Sequence, residues 1–513
     1  MIKKQKKLVC FLIFVCSFGF SLVHYLNIDF VEFNNNSNVE NILHLSGEPD
    51  LAEEWNVTWG TGGYGTGIAL DNLNNFYLSG VMSNDLCLVK FDLNGNYIWN
   101  VTWGDIYRDF GSDTEVDSFE DVYIAGNIGT SDFADIRDFC LVKYNSFGIK
   151  QWNLTWGNIN DDEECRGLEI DTSGNIYLAG DRDSTTIWLL KYNISGNFKW
   201  ARSWGPGFSR DIEQDSSGDI YIAGSTDSYG AESYDMCLLK YNSSGDLQWY
   251  KLWGGNSPDY GQEVAIDSAG NIYVAGITSS FGGIDDDVCL VKYNSAGIQQ
   301  WNLTWGGSGR DTCYGIALDS SNNIYLTGRS WNVNNLFLLK VDSQGILQWN
   351  FTWGGYHNTW GSDIALDSSD NVYIVGSMGT ILLVKFSSVP KITILAPNQN
   401  QLCGKTAPAF ELSIFEPDLD TTWYTLDDGI TNIIFNGLNG TINQIEWDKK
   451  EVGIVTIRFY ANDTLGNVGY SEVVVEKVDE PGNQGILGYN VIILVGAVAL
   501  ISVIVIGNKL KKN

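Results

Sequence analysis

A chain of 513 residues with 44% apolar content is long enough for two or more domains with real cores. Its formal net charge of -31 argues against nucleic-acid binding, because phosphate backbones need a basic surface. The acidity suits a soluble outer surface, possible in a salty or cation-rich medium, and does not by itself identify a ligand.

The N-terminus reads MIKKQKK, then an apolar run over Leu8–Val23. This is the pattern of a secretory signal, or of an uncleaved signal anchor, and it assigns residues 1–28. An Asn-rich linker fills 29–50. At the other end, Tyr489–Gly507 contains 19 residues without a charge, about the ~20 a membrane helix needs. Lys509, Lys511 and Lys512 follow, so a short tail (508–513) is expected in the cytoplasm and everything between the two apolar segments outside. The expected location is therefore the cell membrane, with a single span and the bulk of the chain extracellular.

Between these ends the chain repeats itself. Aligned on the second Trp of a WNxTW phrase, copies fall at Trp59, Trp103, Trp156, Trp204, Trp253, Trp305 and Trp353, with spacings of 44, 53, 48, 49, 52 and 48 residues. Each unit holds four β-rich runs. In the sixth these are IALD, NIYLTG, LFLLKV and LQWNFTW, with Asp/Ser/Asn/Gly turns between the first two and the last two. Four strands every 44–53 residues is the signature of propeller blades. The first run occurs seven times, beginning near Gly67, Thr114, Gly167, Asp211, Glu263, Gly315 and Asp363. The last unit stops after Ile381–Phe386, and the chain supplies a spare fourth run earlier, Leu51–Trp59. The expected fold is all-β: a seven-bladed propeller over 51–388, its last blade closed by the N-terminal strand. From Pro390 the composition changes to alternating strands with turns, which predicts a β-sandwich over 389–478. A linker over 479–488 leads to the transmembrane helix at 489–507.

Cys87, Cys140, Cys237 and Cys289 each stand three residues before a Lys in an apolar strand, where other units have Trp188, Phe337 or Leu382. Cys is a small buried hydrophobe in that pattern, and no structural disulfide is expected.

GNIYVAG (Gly270–Gly276), LLKYNSSG (Leu238–Gly245) and QWNLTWGG (Gln300–Gly307) resemble the SBBP β-propeller repeat. The resemblance spans about two-thirds of the chain. It implies a propeller and says little about activity. NSSGDLQW (Asn242–Trp249) is faintly similar to the tryptophan-docking repeats of quinoprotein dehydrogenases, whose usual eight blades and cofactor pocket are not found here. The later domain resembles the Ig-like modules of prokaryotic surface proteins, without the Cys…Trp…Cys spacing of antibody domains. The whole layout is similar to archaeal envelope proteins.

The paired Trp residues, from Trp55/Trp59 to Trp349/Trp353, lie four apart, so both point to one face of a strand. Packing against the next blade accounts for them; a ring of sugar-stacking platforms is the alternative. Asn-x-Ser/Thr acceptors occur at Asn35, Asn56, Asn100, Asn153, Asn193, Asn242, Asn302, Asn350, Asn439 and Asn462. All but Asn35 are glycosylation candidates, although repeat inheritance alone explains the five in the fourth strands.

Three residues recur seven times: a Lys (Lys90, Lys143, Lys191, Lys240, Lys292, Lys340, Lys385), an Asp (Asp71, Asp117, Asp171, Asp215, Asp267, Asp319, Asp367), and a Tyr from Tyr77 to Tyr373. A catalytic group is needed once, so the Asp is expected to start a turn and the Lys to pair at a blade edge. The acidic loops NDDEEC (Asn160–Cys165) and IDDDVC (Ile284–Cys289) are solvated loops or contributors to a calcium site; no EF-hand pattern is present. Only His44 and His357 lie outside the signal, and no GxSxG, HExxH, phosphate loop or metal-spaced Cys/His cluster occurs. No catalytic, cofactor-binding or metal-binding residue is assigned and no cofactor is expected, with calcium the open case. The expected function is non-catalytic cell-surface binding or adhesion, with glycans or surface proteins as partners. A glycan-cleaving or quinone-dependent propeller enzyme and a structural envelope component are the alternatives. An isolated carboxylate pair in a deep central pocket would favour the enzyme.

Overall fold

The computed structural model describes residues 51–479, apart from 105, 131–135, 159–160, 284, 356–357, 416–418, 428 and 465–467, together with the two-residue strands Asp29–Phe30 and Leu43–His44. The chain divides into two compact units, one built on Trp55–Phe386 and the other on the residues from Ser387 onward.

The first unit consists of seven four-stranded antiparallel sheets, numbered here 1 to 7 in chain order. Sheet 1 takes Tyr64–Leu70, Phe76–Met82, Asp85–Phe91 and Tyr97–Trp103 in order. Sheets 2 to 6 repeat this pattern. Sheet 7 pairs Trp360–Leu366, Val372–Ser377 and Ile381–Ser388 with Leu51–Trp59, the strand from the start of the repeat region. The first strands of the sheets are Tyr64–Leu70, Phe110–Val116, Glu163–Ile170, Phe208–Gln214, Asp259–Ile266, Asp311–Leu318 and Trp360–Leu366. Each packs against the first strand of the next sheet, and that of sheet 7 returns to that of sheet 1.

The second and third strands are apolar and almost wholly buried, as in Ile220–Thr226 and Asp287–Tyr293, because they are sandwiched between neighbouring sheets. Fourth strands alternate, as Lys150–Trp156 does, because one face meets solvent. Every first strand carries a β-bulge at the same place. Thr66 and Ser112 sit in it and donate their hydroxyls to the next sheet, to Gly111 O at 2.8 Å and Cys165 O at 2.8 Å. All seven cysteines of the described residues are buried and unpaired.

The second unit has a three-stranded sheet (Lys391–Ala396, Ala409–Phe415, Asn439–Thr441) and a five-stranded sheet. In the latter, Gln401–Cys403 pairs parallel with the end of Val468–Lys477. Phe410, Tyr424, Phe459 and the fully enclosed Trp447 form its core.

The expectation of a seven-bladed propeller followed by an Ig-like sandwich and one transmembrane helix does not hold as a whole. The described residues are all-β apart from Gln444–Asp448, and the sheets remain separate rather than joining into a closed barrel. Among the described residues no helix is long and apolar enough to cross a membrane, and the five residues of Gln444–Asp448 are far below the ~20 required. The single-pass location is corrected on the same ground. The expected signal (1–28), membrane segment (489–507) and tail (508–513) lie outside the described residues, as does Asn35.

Candidate functional site

The sevenfold Asp, Tyr and Lys are turn and edge architecture. Each Asp accepts, through one oxygen, the N–H groups two and four residues on, at 2.8–3.0 Å. Its other oxygen accepts the Tyr hydroxyl, from 2.9 Å at Asp117 to 3.4 Å at Asp71. The Lys lies over the Tyr ring, from 4.5 Å at Lys90 to 5.7 Å at Lys385. In sheet 2 it also reaches Asp121 at 2.7 Å. The Lys also donates to a turn carbonyl of the following sheet, as Lys292 does to Ser343 O at 2.9 Å.

The WNxTW phrase has the same character. The first Trp meets the recurring Tyr of its own sheet, as Trp99 meets Tyr77 at 5.9 Å. Its other face supports the turn glycine of the following sheet: Gly95 on Trp55, Gly148 on Trp99, Gly245 on Trp200, Gly345 on Trp301. Gly95 has φ +76°, and a Cβ there would come within 2.9 Å of the Trp55 ring. The first Trp is thus a spacer between successive sheets.

What distinguishes the sheets is the first strand. The residue after its bulge is Gly67, Asp113, Gly167, Asp211, Glu263, Gly315 or Asp363, and two residues further stand Glu115, Glu169 and Glu213 in sheets 2 to 4. Positions i and i+2 of a strand share a face. All seven acidic side chains are half-buried. Burial pushes Asp113 well above the usual carboxylate range, and Glu115, Asp211 and Asp363 add to the push. Carboxylates on sheets 2, 4 and 7 feel one another, so the first strands aim them at a common axis. The oxygens of the three aspartates are occupied. Asp113 accepts its neighbour Thr114 N–H at 2.7 Å and, across the sheet boundary, Leu168 N–H at 2.8 Å. Asp211 does the same with Ile212 (2.7 Å) and Val264 (2.8 Å). Asp363 binds Ile364 (2.7 Å) and Ile68 (3.0 Å), closing sheet 7 on sheet 1. Burial, then the charge of Asp211, pushes Glu263 well above the usual carboxylate range. Burial likewise raises Asp363 to about 7 against the pull of its two N–H donors.

A second cluster lies at the end of each sheet where first and third strands begin. Seven of the nine arginines of the sequence stand at or beside these ends: Arg108, Arg137, Arg166, Arg182, Arg210, Arg310 and Arg329. The Arg329 guanidinium lies 3.5 Å from the Trp331 ring centre and 5.6 Å from that of Trp360, and Arg310 reaches Trp331 at 5.8 Å. Arg310 also pairs with Asp286 at 2.9 Å. Tyr260 senses both Arg210 and Arg310, and forms a ring cluster with Phe208 and Tyr234 at 5.7–6.1 Å. Burial, then the charge of Arg210, draws Arg166 down to about 10. Guanidinium and aromatic groups therefore form one belt across sheets 3 to 7, with Trp331 40% exposed.

The glycosylation candidates are placed unequally. Asn56, Asn153 and Asn439 are exposed, and Asn100 and Asn350 half-buried. Asn193 and Asn242 spend their side-chain oxygens on turn N–H groups. Asn462 accepts from Thr421 N–H, and Asn302 is buried at 8% exposure. Of the acidic loops, Glu163 and Asp287 turn inward while Asp161, Asp162 and Asp286 pair with arginines. Among the described residues no group of three or more His, Cys, Asp or Glu side chains is arranged to hold a metal ion.

Sequence reasoning passed over both the axial carboxylates and the arginine belt. Each departs from the repeat: acids alternate with glycines at one position, and arginines fall in the variable connections. A search for residues that break the repeat would have found them.

The SBBP β-propeller repeat model matches residues 248–282 and 304–337. No curated protein matches the chain. Three solved structures are similar. The WD40 propeller domain of Doa1 has a TM-score of 0.46 at 13% identity, over 66% of this chain and 97% of that one. The extracellular domain of a putative hybrid two-component system of B. thetaiotaomicron has 0.41 at 12%, over 86% and 58%. A catalytically inactive virginiamycin B lyase of Staphylococcus aureus, solved with quinupristin, has 0.42 at 13%, over 66% and 99%. Two stretches of the chain thus match a β-propeller repeat, and both fall within the region of seven four-stranded sheets. Propellers include enzymes and non-enzymes, and the fold does not choose between them.

Proposed function

We propose that the protein is an extracellular, non-catalytic binding module that takes an acidic glycan on the arginine–aromatic belt. The observation that carries this is the concentration of seven of nine arginines, interleaved with half-exposed rings, on one end of the sheets in a chain of net charge -31. Guanidinium groups recognise carboxylates in bidentate fashion, and aromatic faces accept the apolar faces of sugars. Arg137, Arg166, Arg182 and Arg310 are engaged by Asp162, Glu164, Asp161 and Asp286, so the ligand's carboxylate would meet Arg329 beside Trp331. Acidic protein surfaces are the second class of ligand the belt would suit. The exposed Asn56, Asn153 and Asn439 are the positions where we expect attached glycan, read by mass spectrometry of the secreted protein.

The test is an array of neutral and acidic polysaccharides probed with the full chain, Arg329→Ala, Arg329→Lys and Trp331→Ala. Acidic sugars should be retained, at least tenfold more weakly by Arg329→Ala, with Arg329→Lys failing to restore binding. Equal retention of neutral sugars, or variants that bind like the parent, would overturn the reading. The rival, glycoside cleavage at the axis, has one observation in its favour: on adjacent first strands Asp211 is held by the Ile212 and Val264 N–H groups while burial and the charge of Asp211 push Glu263 well above the usual carboxylate range, a difference an acid/base pair would use. Product release abolished by Glu263→Gln would establish it.

A further inference from the structure

Between successive sheets a single hydrogen bond recurs. The residue that opens a first strand donates its N–H to the carbonyl just before the preceding sheet's third strand: Asp109 to Asn84 at 2.7 Å, Asp259 to Tyr234 at 2.6 Å, Asp311 to Asp286 at 2.7 Å, Thr359 to Asn334 at 3.0 Å. That link brings two side chains together over the glycine that follows the second Trp. The pairs are Asp85/Asp109, Asp235/Asp259 and Asp287/Asp311, with Asp138/Glu163 between sheets 2 and 3, but Asn335/Thr359 between sheets 6 and 7. A methyl group on Gly157 would strike both Asp138 Oδ1 and Glu163 Oε2, and one on Gly254 both Asp235 Oδ1 and Asp259 Oδ2.

Asp138 is half-buried, and its partner and the acids of the next two charged junctions are enclosed. Glu163 is 0% exposed, Asp287 2% and Asp235 9%. Asp138 Oδ1, Glu163 Oε1, Asp235 Oδ1 and Asp287 Oδ1 take no hydrogen bond. Asp259, by contrast, is fixed by Thr278 Oγ1, Ser280 Oγ and Gly255 N–H. A buried carboxylate oxygen that faces a second carboxylate and has no donor is costly on both counts. Glu232 and Asp285 add further negative charge at the second and third junctions, where Asp286 is paired with Arg310. A hard divalent cation cancels such a field, taking carboxylate oxygens and completing its shell with carbonyls and water.

We propose that calcium binds between successive sheets at three junctions, Asp138/Glu163, Asp235/Asp259 and Asp287/Asp311, and ties those sheets together. The neutral Asn335/Thr359 junction holds none. This is independent of the ligand proposed above, so loss of sugar binding leaves it untouched.

The experiment titrates the metal-free full chain with calcium chloride, and separately with magnesium chloride, by calorimetry, and follows the melting midpoint. Asp138→Asn, Asp235→Asn and Asp287→Asn accompany the parent. Saturable calcium binding is expected, with magnesium weaker, the midpoint raised several degrees, and one site lost per variant. Heats that match magnesium's and survive all three variants would show diffuse attraction to an acidic surface and overturn the proposal. So would absence of binding together with variants more stable than the parent at pH 8 and equal to it at pH 5, which would mean that the pairs share a proton.

Discussion

Two sets of enclosed carboxylates occupy the same seven sheets and differ in one respect. Around the axis, Asp113, Asp211 and Asp363 each accept two backbone N–H groups, one from the neighbouring sheet. At the junctions, Asp138, Glu163, Asp235 and Asp287 each keep an oxygen that nothing donates to. Both sets are raised in pKa by burial, Asp363 to about 7 and Asp235 to about 6, so the shift alone does not separate them. Hydrogen bonding does. A buried acid whose oxygens are used up is a fastener; one whose oxygens are idle is waiting for a partner.

The largest expected effect comes from removing a fastener. Asp363→Ala strips acceptors from Ile68 and Ile364 N–H, at the seam where sheet 7 meets sheet 1. Orphaning buried donors costs about 1–3 kcal/mol each, so roughly 2–6 kcal/mol should be lost in denaturant unfolding. Asp287→Asn, in chelator, should lose nothing or gain, since it removes repulsion from Asp311. If the two variants lose the same amount, the distinction between the sets collapses.

That distinction was only partly legible in the sequence. Strand runs, turns and the structural character of the sevenfold Asp are readable because every unit repeats them: the Asp oxygen that caps its turn in sheet 1 does so in all seven. The first Trp was readable as packing, since a residue needed at every sheet boundary recurs at every boundary. The axial acids were not, because glycines take their place in sheets 1, 3 and 6, and the eye reads the consensus rather than its exceptions. The junction pairs were harder still. Asp138 and Glu163 are 25 residues apart in the chain and meet only through the sheet-to-sheet contact. The acidic loops pointed to Glu163 and Asp287 without showing which oxygens face inward.

A smaller effect follows from pH. Asp363 on the axis and Asp138, Glu163, Asp235 and Asp287 at the junctions have folded pKa values raised by burial above their unfolded ones, Asp363 and Glu163 to about 7, Asp235 and Asp287 to about 6. The unfolded chain therefore ionises first as pH rises, and their stabilising contribution, complete below about pH 4, is lost as pH climbs through 6 to 7. In chelator the melting midpoint should fall between pH 5 and pH 8. Calcium should blunt the fall by ionising the junction pairs in the folded state, leaving the part due to the axis. Glu263→Gln, which fixes the neutral form of an axial acid, should flatten that remainder. A midpoint that rises with pH would contradict both assignments.

The smallest effect belongs to carboxylates satisfied twice over. Asp117 accepts Phe119 N–H at 2.8 Å, Asp121 N–H at 3.0 Å and the Tyr123 hydroxyl at 2.9 Å before Lys143 approaches it at 3.6 Å. Lys143→Met keeps the side-chain stem that packs beside Tyr123 and removes only the charge. Three donors remain on Asp117, and Asp121, which loses its 2.7 Å pair, keeps access to water, so the cost should stay at about 1 kcal/mol, the scale of one hydrogen bond. Nor should the variant gain a calcium site, although it exposes Asp117 and Asp121 to each other. A large loss, or a new cation bound there, would mean that charge balance rather than hydrogen-bond satisfaction governs these acids, and the axial ring would then have to be counted among the cation sites as well.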